Sequence, residues 1–329
     1  MRTPLTAAAR RTTLALAALG MTSTLALTAC SGGTDDAADA KASTSPAPKG
    51  AVTKAQAAKI VDNYVTVNNK ANKTQDEKLL ATVESGQVHE QSKADYATFA
   101  IWTKKDQAEY EEPFTYEDRE YYIPADEDWF AVRATASGSK HPALLIFDKE
   151  SGVWKLTYAV YSATSIPKID TGDNGLATAA TLPTTTDVSA AFEDLYATGG
   201  KKAGAALSQT TSPAKDALKV YKDRNDGSLS KYATSGFFAK DPTYRTTYAL
   251  RLADGGVLAV IPTSHTKETL LKEQYRSSFT ITPSDQESVY DPTKRVIVTD
   301  TFQGQLLATL PKSGKPSVIG YEYRMTDSK

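Results

Sequence analysis

The densest set of side chains able to act chemically lies over residues 106–128, where ten acids (Asp106, Glu109, Glu111, Glu112, Glu117, Asp118, Glu120, Asp126, Glu127 and Asp128) face a single arginine, Arg119. Tyr110, Tyr116, Tyr121, Tyr122 and Trp129 are interleaved with them or follow at once. Carboxylate oxygens suit hard cations such as calcium, and aromatic rings suit protein or carbohydrate partners. The five aromatic residues are therefore a candidate binding surface for a cation, a basic peptide or a sugar. The acid spacing fits no calcium loop, and an acidic stretch leading into a strand is ordinarily solvated. No metal site and no cofactor are expected.

The three histidines, His89, His141 and His265, are scattered and lack a second ligand at metal-binding spacing, so each is assigned to structure or surface. Ser212 and Lys215 resemble the S-x-x-K nucleophile element of penicillin-recognising enzymes, and Lys312-Ser313-Gly314 resembles their K-[ST]-G element. The same S-x-x-K spacing recurs at Ser137/Lys140, Ser165/Lys168, Ser228/Lys231 and Ser264/Lys267, which marks it as a product of composition. The S-x-N or Y-x-N element is missing, and Lys312-Ser313-Gly314 reads as a hairpin turn. No catalytic residue is assigned.

Cys30 is the only cysteine in 329 residues, so it cannot close an internal disulfide. It follows a basic stretch (Arg2, Arg10, Arg11) and an apolar one over residues 14–27 that is interrupted by Gly20, Thr22, Ser23 and Thr24. That is the layout of an export signal, and it falls short of the roughly 20 apolar residues of a membrane-spanning helix. Leu27-Thr28-Ala29-Cys30 matches the bacterial lipobox. The resemblance implies a diacylglyceryl group on Cys30, removal of residues 1–29 and an exported protein held by lipid on the outer face of the cell membrane. Two acyl chains hold stably where one is marginal. The Arg10-Arg11 pair fits twin-arginine export only loosely, and the general secretory route is favoured.

The whole chain holds 38 Lys+Arg against 39 Asp+Glu, and residues 1–29 contain three arginines and no acid, so the processed chain carries 35 bases against 39 acids. This mildly acidic balance disfavours nucleic acid as a partner. Residues 30–50 hold almost only small and polar side chains and read as a disordered tether with a reach of about 25 Å. A second such stretch, 165–187, reads as a linker between two domains, 51–164 and 188–329.

Each domain reads as helices followed by an antiparallel meander. In the first, Ala57, Ile60, Val61, Tyr64 and Val65 recur at helical spacing over 53–71 with Thr53 as N-cap, and a shorter helix follows over 75–83 with Gly86 as its stop. Strands follow over 121–123, 129–135, 143–147 and 153–161. In the second, Phe192, Leu195 and Tyr196 suggest one helix and 213–223 another, before strands over 246–252, 257–262, 277–282, 295–302, 305–310 and 318–325. The last hairpins match at a spacing near 162 residues: Leu144-Leu145, Ser151-Gly152 and Tyr161 against Leu306-Leu307, Ser313-Gly314 and Tyr323.

This α+β order resembles the cystatin-like cone of the nuclear-transport-factor-like superfamily. The resemblance implies two cone domains, each with N-terminal helices and a curved antiparallel sheet that often leaves a pocket. That superfamily holds enzymes, adaptors and cell-wall accessory domains, so the fold does not choose a function. The expectation is a membrane-tethered binding or interaction module meeting an envelope protein or cell-wall component. The alternative is a small-ligand carrier or isomerase-like enzyme with an acid or tyrosine in a pocket.

Overall fold

The first helix forms where the sequence places Ala57, Val61, Tyr64, Val65 and Ala71 on one buried face, giving α1 (Lys54–Thr74) in a computed structural model that describes residues 49–182 and 187–329. The signal at 1–29, with Leu27, Thr28, Ala29 and Cys30, lies outside the described residues, as do the tether up to Pro48 and the run Pro183–Thr186. Thr53 caps α1 as expected, its hydroxyl accepting from Gln56 N at 3.2 Å while the Gln56 side chain accepts from Thr53 N at 2.8 Å. No helix among the described residues is long and apolar enough to cross a membrane.

The expected short helix shrinks to α2 (Glu77–Leu80), and Gly86, expected to stop it, instead opens α3 (Gly86–Thr98). The buried face of α3 is Gln87, Val88, Gln91, Ala94 and Thr98, which has helical spacing without an apolar stripe. α4 (Lys104–Glu111) lies inside the acidic segment and buries no residue. Then β1 (Tyr116–Tyr122), β2 (Trp129–Ala136), β3 (Pro142–Glu150) and β4 (Val153–Tyr161) pair in chain order as an antiparallel meander.

The second half begins with α5 (Val188–Thr198) and α6 (Ser212–Asp223). Its sheet joins β5 (Ala233–Ala239), β7 (Val257–Leu271), β8 (Ile297–Leu310) and β9 (Ser317–Ser328) in that order, with β6 (Tyr248–Arg251) also paired to β7. Residues 277–282 are not a strand; only Ile281 forms an isolated bridge, to Arg295. They run into the short helix α7 (Asp285–Ser288). The two strands expected at 295–302 and 305–310 are one, because β8 runs straight through Gly304. A Cβ at Gly304 would collide with the Tyr323 ring, so a glycine inside the strand marks close approach of a side chain rather than a break.

Side chains alternate between faces along a strand, and here both faces are buried. Phe130, Val132, Leu145 and Phe147 face α1, whereas Trp129, Ala131, Leu144, Ile146, Tyr158 and Val160 face the second sheet. They meet Tyr248, Leu250, Leu258, Val260, Leu307 and Ile319 there. The opposite face of the second sheet, with Ala259, Ile261 and Leu306, packs on Val188, Ala191, Phe192, Leu195 and Tyr196 of α5. The layers run helix, sheet, sheet, helix.

Residues 165–182 lie against the same middle layer. Ile166, Ile169 and Ala177 are buried in it, and Ile169 and Ala179 bridge to Leu252 and Leu250. The hairpin correspondence holds for Tyr161 and Tyr323, which both face their helices, but Leu144 and Leu306 lie on opposite faces. The turns differ in length, Glu150 pairing with Val153 but Thr309 with Ser317, so a match made by counting residues slips by one.

Helix α3 fastens the first half to the second through amides. Gln87 Nε2 donates to Gly304 O at 2.9 Å, and Gln91 Nε2 donates to Gln303 O at 3.0 Å and Glu322 O at 3.1 Å. Gln305 Nε2 donates to Gln91 Oε1, and its own Oε1 accepts from Ala159 N at 2.9 Å. Arg324 Nε donates to Asp95 Oδ1 at 2.8 Å.

Leu307 is wholly buried in the middle layer, so Leu307→Ala is expected to lower the free energy of urea unfolding by about 2–5 kcal/mol. A loss below about 0.5 kcal/mol, the range of surface substitutions, would contradict the shared core.

Candidate functional site

The five aromatic residues singled out in the acidic segment do not come together as one surface. Tyr110, on α4, stands edge-on to Trp102 at 5.1 Å, beside Tyr96 and Phe99. Tyr116 is buried in the α1 core between Tyr64 and Phe114. Tyr121 is half-buried against that core, whereas Tyr122 faces the middle layer and donates its hydroxyl to Glu120 at 2.5 Å. Trp129 is buried in the middle layer, edge-on to Tyr248 at 5.1 Å, with Nε1 donating to Glu127 at 3.1 Å. Strand alternation separates them: neighbours in sequence point to opposite faces of β1. Among the acids, Glu120 pairs with Arg133 at 2.7 Å and Glu109 with Lys105 at 3.6 Å, while the segment's arginine, Arg119, reaches Asp62 of α1 at 2.5 Å.

Each half instead holds a buried acid–tyrosine centre that no local motif announces. In the first, Glu84 Oε1 accepts from the Tyr64 hydroxyl at 2.9 Å and from Asn68 Nδ2 at 3.1 Å. Burial, then the Glu84 charge, pushes the Tyr64 hydroxyl well above its ordinary range. In the second, Glu193 of α5 accepts from Thr263 Oγ1, from the Tyr323 hydroxyl at 2.6 Å and from His265 Nδ1 at 2.7 Å. The His265 ring is enclosed by Tyr323, Tyr196, Phe302 and Phe237 at centroid distances of 4.9, 5.0, 5.0 and 5.5 Å. Burial alone would raise the Glu193 carboxyl, but the adjacent His265 and the three hydrogen bonds outweigh it and hold the group below the usual glutamate range.

Proton transfer would require a substrate within hydrogen-bond reach of these groups. Glu193 and His265 are 2% and 4% exposed, and neither lines either of the two main surface concavities. Their geometry is that of a satisfied buried network. Ser264 and Lys267, which share the S-x-x-K spacing, lie three apart on β7 and so point to opposite faces; Ser264 Oγ donates to Phe302 O. Lys312-Ser313-Gly314 lies in the turn between β8 and β9, as expected.

The two concavities both belong to the second half. One is a shallow, open depression lined by Leu207, Gln209, Thr210 and Lys315. The other is a more enclosed cleft of about 370 Å³ at the far end of the sheet. Its walls come from the segment after α6, the ends of β5, β7 and β8, and the approach to α7. Lys267 stands in its wall and reaches Asp300 at 3.3 Å, behind it on β8. Burial raises the Asp300 carboxyl, and the Lys267 charge works against that rise. Neither concavity was anticipated from sequence, because their residues come from separate stretches without a shared motif.

The structure is thus an α+β protein with two antiparallel sheets, a buried core in each half and a cleft at one end of the second sheet. The chain belongs to a family described as a domain of unknown function, DUF8094, whose model matches residues 48–329. It is similar to an uncharacterised lipoprotein of Streptomyces coelicolor (strain ATCC BAA-471 / A3(2) / M145), at 30% identity over 350 aligned residues covering 100% of this chain and 97% of the relative. No solved structure matches.

Because the folded value of Glu193 lies below the ordinary 4.5, its contribution to stability is complete above the unfolded value and is lost as pH falls through the folded one. Glu193→Gln should therefore cost about 3–5 kcal/mol at pH 7. That cost should shrink as the pH falls below about 4.5. Urea unfolding of both proteins from pH 7 to pH 3 gives the comparison, and parallel pH profiles would refute the ionised, structural reading of Glu193.

Proposed function

We propose that the protein is a lipid-tethered, extracytoplasmic binding or interaction module of the cell envelope, held to membrane lipid through acylated Cys30. Support for the anchor comes from the lipobox Leu27-Thr28-Ala29-Cys30, the absence of any other cysteine and the full-length similarity to a protein named as a lipoprotein. Each half is a filled variant of the cystatin-like cone, with one long helix packed on one face of an antiparallel sheet: α1 on the first, α5 on the second.

The observation that carries the binding reading is the state of the interior acids. Glu84 and Glu193, the groups a pocket enzyme would present to substrate, are sealed and hydrogen-bonded to Tyr64 and Tyr323. What the second half offers to solvent is a polar cleft outside the filled core. A non-enzymatic partner at the envelope, a protein or a wall component, suits that arrangement. The acid–tyrosine pairs favour the alternative of an isomerase-like enzyme, but they do so only if the cone opens around them.

Replacing Cys30 by alanine removes the acylation site. Cells producing Cys30→Ala are expected to release the protein into the medium or, with processing blocked, to accumulate the unprocessed form without acyl label. Metabolic labelling with an alkyne fatty acid, followed by fractionation, reads both. Acyl label retained on the variant would overturn the anchor.

A further inference from the structure

The cleft at the far end of the second sheet has a lining that selects a class of ligand. Its charged side chains balance, Arg224 and Lys267 against Asp226 and Glu287. A polyanion or polycation would find no net attraction there, whereas a neutral molecule rich in hydroxyls would meet donors and acceptors together. Ser230, Thr282 and Ser284 add hydroxyls to the wall. The floor is apolar, formed by Ala233, Ile281 and Val298 of a small core cluster.

Next to that floor is an aromatic group of uncommon exposure. Tyr232 packs on the same cluster, with Tyr275 edge-on to it at 5.2 Å and Phe279 tilted against it at 5.8 Å between ring centroids. Phe279 is 51% exposed, and Leu229, in the cleft wall, is 45% exposed. Phe279 lies outside the cleft wall itself, against Tyr232 and two residues before Ile281 of the floor. An exposed ring at the margin of a hydroxyl-lined cleft provides what a sugar uses: an apolar face to cover its axial C–H groups and a polar wall for its hydroxyls. The volume of about 370 Å³ falls within the roughly 300–1,000 Å³ of small-molecule sites.

Several polar groups there are fixed before any ligand arrives. Asn225 Oδ1 accepts from Ser235 N at 2.7 Å, and the Ser235 and Thr269 hydroxyls lie 2.9 Å apart. Lys267 is held by Asp300, and Glu287 closes the cap of α7 by accepting from Ser284 N at 2.6 Å. A wall already held in place loses less freedom on binding.

We propose that this cleft binds a short neutral saccharide, with Phe279 as its stacking platform and the charged and hydroxyl side chains as hydrogen-bond partners. The proposal rests on the binding-module reading and names its ligand class. The test titrates the full-length lipidated protein, in detergent micelles, with the neutral tetrasaccharides chitotetraose and maltotetraose and with an acidic hyaluronan tetrasaccharide. Saturation-transfer NMR and calorimetry follow binding.

At least one neutral tetrasaccharide should bind, and the acidic one should bind no tighter. Phe279→Ala should weaken binding about 2- to 10-fold, the range of one aromatic stack. Thr282→Trp, at an exposed wall position, should abolish it by filling the cleft, and Leu229→Trp does the same from another stretch of the wall, so that loss in both at unchanged melting temperature reports occlusion. Absence of neutral-sugar binding, tighter acidic-sugar binding, or affinity indifferent to both tryptophan variants would overturn the assignment. If it fails while acyl labelling still depends on Cys30, the cleft assignment alone falls and the tethered module stands.

Discussion

The burial of both faces of both sheets is the constraint on which the rest of the structure depends. Leu144, Ile146, Tyr158 and Val160 of the first sheet exclude water only by meeting Leu258, Val260 and Leu307 of the second. A buried apolar side chain of this size contributes roughly 1.5–3 kcal/mol, so exposing that layer would cost more than the usual stability of a domain. Each sheet must then cover its other face with a helix, which is what α1 and α5 do. With both faces covered, the interior is filled, and ligand recognition is left to the edges and ends of the sheets.

Most polar groups that enter this interior are hydrogen-bonded there, while among the described residues Glu84 Oε2, Gln87 Oε1 and His89 Nδ1 are buried without a hydrogen-bond partner. The glutamines of α3 satisfy carbonyls of β8 and β9 beside Gly304, where a larger residue would strike Tyr323. Glu193 is ionised in the second core because His265, Thr263 and Tyr323 together offset its desolvation. Buried hydrogen-bonded groups of this kind fix one arrangement, since a slipped register would leave each of them unsatisfied. The same rigidity holds β7 and β8, whose far ends carry Lys267 and Val298 into the cleft.

The parts legible in sequence were those whose burial leaves an apolar period. α1 and α5 show it, and β2, β3 and β4 are rich in apolar and aromatic residues because both of their faces are covered. Helix α3 was hidden because its buried positions, Gln87 and Gln91, are polar, and periodicity counts apolar residues. Gly304 split one long strand into two expectations, since a glycine read locally signals a break and its reason, the Tyr323 ring, lies on another strand. The polar centre was invisible because Glu193 and His265 are 72 residues apart. The cleft was hidden likewise, since stretches near 224–235, 267–269 and 281–298 meet only through the sheet. The aromatic residues at 110–129 drew notice through density alone, and strand alternation distributes them among separate environments.

Native-state hydrogen exchange in increasing urea tests the central claim, that the two sheets stand or fall through their common layer. The amides of β3 and β8, at the middle of the two sheets, should converge on a single opening free energy equal to that of global unfolding. Opening of β3 at a distinctly lower energy while β8 stays protected would contradict the account.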